Sequence, residues 1–125
     1  MLRQRTATNT YRTMHIASSP ARLLDGLYHR LLTDLDDAKR FIESREIVKK
    51  AEAINHGLLI IGELNAALDR ERAPELCTHL AKLYDFTKDR ILSASLSMDS
   101  QPLDEARKII ETLRDSFARA SGVTR

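Results

Sequence analysis

The chain has 125 residues, 42% hydrophobic and 30% charged, and its 20 Lys and Arg against 18 Asp and Glu leave a net charge of +2. That balance excludes a disordered polymer and does not supply the dense cationic field of a nucleic-acid binder. A lone cysteine, Cys77, rules out an internal disulfide and suits a reducing compartment.

The length fits one domain, 1–125, able to bury its own core. Only four Gly and three Pro interrupt it, which leaves room for long helices and too few turns for an all-β fold. At the start, Arg3, Arg5, Arg12 and Arg22 precede the first acid, Asp25. This basic stretch lacks the apolar block of a signal peptide, and the longest aliphatic run, Leu58 to Ile61, is too short to span a bilayer. The expectation is a cytoplasmic protein without membrane insertion. Residues 1–17 read as a mobile arm or one short helix, and periodicity does not choose between the two.

"SSP" at Ser18 to Pro20 is a helix start: Ser19 can cap free amides, and Pro20 fits the first turn without wasting a donor. A helix over 19–44 follows, its apolar stripe formed by Leu23, Leu24, Leu27, Leu31, Leu35, Ala38 and Ile42. A second helix is expected over 46–72, with Ile47, Ala51, Ile54, Leu58, Ile61, Leu64 and Leu68 on its seam. Pro74 forces a break. The third helix, 75–96, has the stripe Leu76, Leu80, Leu83, Thr87, Ile91 and Ala94. After "SMDSQP", with Ser100 or Asp99 as cap, the fourth covers 101–121 with Leu103, Ala106, Ile110, Leu113, Phe117 and Ala120 in heptad-like steps. Four long amphipathic helices with short joints predict an all-α, antiparallel up-and-down four-helix bundle, preceded by a short N-terminal helix or arm.

Such a bundle could house a metal centre, but no Glu-x-x-His pair occurs. Glu52 with His56, and Glu75 with His79, have the wrong offset. The four histidines, His15, His29, His56 and His79, read as solvated, and no metal or cofactor is expected. Cys77 and His79 are two residues apart, on nearly opposite sides of a helix, so they cannot share a proton. The glycines at 26, 57, 62 and 122 form no phosphate loop. Stretches such as "DEARKIIETLRD" read as exposed faces laced with ion pairs along one helix. The chain is not expected to be an enzyme.

Apolar surplus stands out instead. On the second helix the seam widens through Leu64 to Ile60 and Ala67, an arc of roughly 200° where a peripheral helix needs about half that. Leu59 and Val48 fall outside even this arc. On the third helix Leu92 and Leu96 point away from the Leu80 and Leu83 seam, while Tyr84 and Phe86 read as boundary residues. Clustered, these side chains would form grooves suited to another chain's amphipathic helices; a homodimer or larger homo-oligomer burying the same surface against itself is the competing expectation.

Four stretches carry a resemblance: "SSPARLL" followed by Leu27 and Tyr28; "INHGLLIIGELNAALD" from Ile54 to Asp69; "LAKLYDF" with "RIL" shortly after; and "LRDSF" from Leu113 to Phe117. In their order and spacing the sequence resembles, from about Tyr11 to Phe117, the flagellar export chaperone family usually called FliS. The resemblance implies an antiparallel helical bundle without catalysis. It implies binding of the disordered C-terminal segment of flagellin in the cytoplasm, protection from early polymerisation, and delivery to an export gate component. In that family a tyrosine near the N-terminus lies over a hydrophobic part of the binding surface, and Tyr11 is the matching position. This sequence departs from the family's usual pattern at Asp25 and Gly26 and at His29 and Arg30, and has Gly57 where alanine is commoner. The expected groove is lined by Leu59, Ile60, Leu64, Leu92 and Leu96, with Tyr11 as a lid, Tyr84 at the rim and Asn65 as a backbone clamp. On that reading Ile60→Asp or Leu64→Asp weakens capture and leaves the fold intact.

Overall fold

The computed structural model describes residues 20–123, which form four helices: α1 (Pro20–Glu43), α2 (Ile47–Ala66), α3 (Pro74–Ser97) and α4 (Gln101–Ser121). The expected N-terminal arm, the Ser19 cap and Tyr11 lie outside the described residues. α1 packs against α2 and α4, and α3 packs against the same two, so α1 faces α3 diagonally across the core. Cross-helix pairs give the chain directions. Asp25, Asp36 and Lys39 of α1 meet Arg114, Arg107 and Asp104 of α4, rising along one helix while falling along the other. Arg90 with Glu105 and Lys50 with Ser95 extend the same antiparallel sense to α3–α4 and α2–α3.

Three helices end alike. Beyond α1, Glu46 N–H bonds Phe41 C=O and Arg45 N–H bonds Ile42 C=O, with Arg45 left-handed at φ 62°. α3 and α4 close through left-handed Met98 and Gly122 in turn. These are C-terminal motifs that satisfy orphan carbonyls and usually recruit glycine, which only Gly122 supplies. α2 stops at Ala66, six residues before the expected Arg72. Asp69 diverts the chain: its carboxylate accepts from Arg72 N–H, a local alternative to helical bonds, and its carbonyl accepts from Ala73 N–H in one isolated turn. Leu68 then folds onto the core edge.

The core is built from Tyr28, Leu31, Leu35 and Ile42 of α1, Ile54, Ile60, Ile61 and Leu64 of α2, Leu80, Tyr84, Ile91 and Ala94 of α3, and Leu103, Ala106 and Ile110 of α4. All four seams differ from expectation in places; on α1 Leu23 is exposed, and on α4 Ala118 is buried while the expected Ala120 is exposed. On α3 the buried positions are Cys77, Leu80, Tyr84, Thr87, Ile91 and Ala94, a strict three-four alternation, while Leu76 and Leu83 are exposed. On α2, Ile47 and Ala51 are exposed, and the seam passes through Lys50, whose ammonium donates to the carbonyl and hydroxyl of Ser95.

Tyr84 decides the α3 rotation. Its hydroxyl meets that of Tyr28 at 2.7 Å across the diagonal of the bundle, so two buried phenols satisfy each other. The Tyr28 ring also stacks on Phe117 with centroids 6.2 Å apart. Burial first, and then the hydrogen bond to Tyr84, push the Tyr28 phenol well above the ordinary tyrosine range; burial also raises Tyr84.

Candidate functional site

Charge and apolar surface are segregated on this bundle. Along the α1–α4 seam, Arg114 grips Asp25 through two bonds of 2.9 and 3.1 Å, Arg107 grips Asp36 at 2.8 and 3.1 Å, and Lys39 meets Asp104 at 3.0 Å. Paired charges on neighbouring helices fix their register and keep that face wet. The charged stretch of α4 thus pairs largely with α1, beyond the pairs along one helix expected from sequence.

Of the nine large apolar side chains exposed among the described residues, eight lie on α2 and α3. Leu59 is 67% exposed, Leu96 87% and Leu92 38%, so these three sit at the surface as expected, with Asn65 also exposed. The Lys50–Ser95 bond places the start of α2 beside the end of α3, where Ile47 joins Leu92 and Leu96 at the same end of the bundle. This gathers apolar area at one side, a pattern that marks a binding surface more than scattered exposure does.

Three expected groove residues are interior. Ile60 and Leu64 are each 1% exposed and Tyr84 2%. Ile60 belongs to the core, because α2 packs against both α1 and α3 and absorbs a wider arc than a peripheral helix would. An aspartate at Ile60 or Leu64 would therefore break the fold, contrary to expectation. Leu64 and Tyr84 do reach a cavity of about 190 Å³ at one end of the bundle, where they join Leu24, Leu68, Leu76 and Phe117.

A further groove, about 400 Å³, runs between α3 and α4 over Leu83, Phe86, Ile109 and Leu113, bordered by Glu105, Lys108 and Thr112. Sequence reasoning missed it. The α4 stripe omits Ile109 and the α3 stripe puts Leu83 in the core, so the two halves of the groove stand apart in the sequence. The signal was Ile109 beside Ile110: two adjacent isoleucines cannot both face one seam.

Among the polar groups, His56 bonds the Asp34 carboxylate through Nδ1 at 2.6 Å, and its Nε2 lies 3.5 Å from Arg30. Burial raises the Asp34 carboxyl above the usual range, opposed by that bond. His56 is thus a link between α1 and α2, where a solvated ring was expected. No group of three His, Cys, Asp or Glu able to hold a metal occurs among the described residues, and none of their helices is long and apolar enough to cross a membrane.

The family model of the flagellar protein FliS matches residues 3–123. The chain belongs to the FliS family. It is 31% identical over 107 residues to a flagellar secretion chaperone FliS of Salmonella typhimurium, covering 85% of this chain and 79% of that one. It is 34% identical over 100 residues to the flagellar secretion chaperone FliSB of Pseudomonas aeruginosa, 80% of this chain and 79% of that one. A Bacillus subtilis FliS is 28% identical over 103 residues, covering 82% and 76%. The FliS match spans all four helices, so in this FliS bundle both the charged α1–α4 seam and the apolar α2–α3 side fall inside the family region.

Proposed function

We propose that this FliS-family chain is a cytoplasmic flagellar type III export chaperone that binds the disordered C-terminal segment of flagellin. It holds that segment unpolymerised and aids its delivery to an export gate component. The observation that carries the reading is the concentration of exposed large apolar side chains on α2 and α3, opposite a face closed by ion pairs. A disordered client with amphipathic segments loses chain entropy on binding and recovers free energy by burying apolar stripes, which Leu59, Leu92 and Leu96 can receive. Asn65, exposed on the same helix as Leu59, offers donor and acceptor to a bound backbone. Leu64 and Tyr84 contribute from the floor of the end cavity, and the family resemblance gives Tyr11 the role of a cover. Ile60 has no part in contact with a client. The role needs no catalysis and no cofactor.

Co-expression with a flagellin tests it. The flagellin copurifies with this chain, and removing the flagellin C-terminal segment abolishes the association. Equal recovery of the truncated flagellin overturns the reading.

A further inference from the structure

We propose that Lys50 is a specificity-determining residue of the α2–α3 surface, where its ammonium holds a carboxylate side chain, Asp or Glu, of the bound client segment. The inference rests on the chaperone reading above and names the polar feature a client must carry. Lys50 occupies a core position near the start of α2 and is only 9% exposed, in line with the buried Ile54 and Ile61. Its ammonium has three protons and gives two of them to Ser95, at 3.2 Å to the carbonyl and 3.0 Å to the hydroxyl. Both acceptors are neutral.

This chain does not supply the matching charge. No ion pair among the described residues includes Lys50. Glu46, one turn earlier, is engaged by Lys49 at 3.3 Å and by Ser44 at 2.7 Å, and Glu52, two residues on, projects from nearly the opposite side of α2. Residues 1–19 contain no Asp or Glu. The end of α4 is remote, since Arg114 meets Asp25 at the start of α1, whereas Lys50 meets Ser95 where α2 begins and α3 ends. On the Ser95 flank of α3, Lys88 and Asp85 offset each other, so Lys50 decides the charge at this end. The exposed Ile47, Leu92 and Leu96 gather at the same end. A client that covers them also takes water away from the ammonium. Left with neutral acceptors alone, a dry ammonium is costly, whereas a client carboxylate gives it a charge-assisted bond. A lysine that served only to lock α2 onto α3 would leave capture indifferent to the client's acids.

Fluorescence anisotropy of the full chain with a labelled peptide from a flagellin C-terminus tests this, with circular dichroism confirming that each variant is folded. Each Asp and Glu of the peptide is changed singly to Asn or Gln. One such change weakens binding to the native chain by about tenfold. Lys50→Gln binds the unchanged peptide about tenfold more weakly than the native chain and no longer responds to that change, while Lys50→Arg still does. Carbodiimide coupling of the peptide bound to the native chain, mapped by mass spectrometry, joins the same carboxylate to Lys50, a readout that needs no variant. Binding that ignores every acid of the peptide overturns the proposal, as does an equal loss in the native and Lys50→Gln chains, or coupling to other lysines alone. A native chain that does not bind the peptide overturns the chaperone reading itself, whereas binding without dependence on Lys50 overturns this assignment alone.

Discussion

Replacing either buried tyrosine by phenylalanine removes one hydroxyl from a pair hydrogen-bonded to each other across the core. Tyr28 is fully buried, Tyr84 nearly so, and their oxygens are 2.7 Å apart. Tyr28→Phe or Tyr84→Phe leaves the remaining hydroxyl without its partner in the interior, costing about 1–3 kcal/mol. The double replacement removes both polar groups together and is close to neutral, because no unsatisfied group remains. The coupling in the double-mutant cycle is therefore the sum of the two single costs, about 2–6 kcal/mol, and compensating in sign. Thermal unfolding followed by far-ultraviolet circular dichroism reads it, each kcal/mol moving the midpoint by about 4–8 °C. The pair also gives a pH signature. Both phenols are raised in the folded state, so their contribution is complete below the unfolded value of about 10 and is lost as pH climbs past it through the folded values. The native chain accordingly loses stability above about pH 10 more steeply than the double phenylalanine variant. Additive single effects, or singles without effect, would refute the claim that this hydrogen bond sets the α3 register.

Four further outcomes follow from local geometry. Gly57→Ala stabilises the fold by about 0.5–1 kcal/mol, because the new Cβ meets Leu31 Cδ1 at 3.5 Å and Asp34 Cβ at 3.6 Å, ordinary contact, while gaining helix propensity; a lower unfolding midpoint contradicts it. Arg45→Gly raises stability by up to about 1 kcal/mol in urea titration, since Arg45 is exposed and left-handed at the end of α1. Arg114→Ala, which strips a bidentate partner from the largely buried Asp25, costs about 1–2 kcal/mol in the same titration. Lys39→Ala, on an exposed pair, changes nothing measurable.

Helix number and order were legible because proline and serine mark starts and because three- and four-residue apolar steps persist for several turns. The rotation of α3 was not. Leu76 and Leu83 outweigh Cys77 and Tyr84 on any hydrophobicity scale, and nothing local announces that Tyr84 finds a hydroxyl on a helix 56 residues away. The surplus on α2 was read half correctly. Leu59 and Val48 lie outside the widest core arc and are exposed, whereas Ile60 is buried in the core. Interhelical ion pairs were likewise hidden, because sequence spacing displays only neighbours along one helix. The α3–α4 groove needed two helices to be placed side by side before it could be seen.

The most direct test of the chaperone reading is the affinity of a labelled peptide from a flagellin C-terminus for the native chain and for a Leu59→Asp, Leu92→Asp, Leu96→Asp variant, followed by fluorescence anisotropy. Covering what Leu59 and Leu96 leave in water is worth about 1–2 kcal/mol each, so the folded variant should bind at least about tenfold more weakly than the native chain. Undiminished binding by that folded variant, or no binding by the native chain, would contradict the assignment of the α2–α3 surface to an unfolded client.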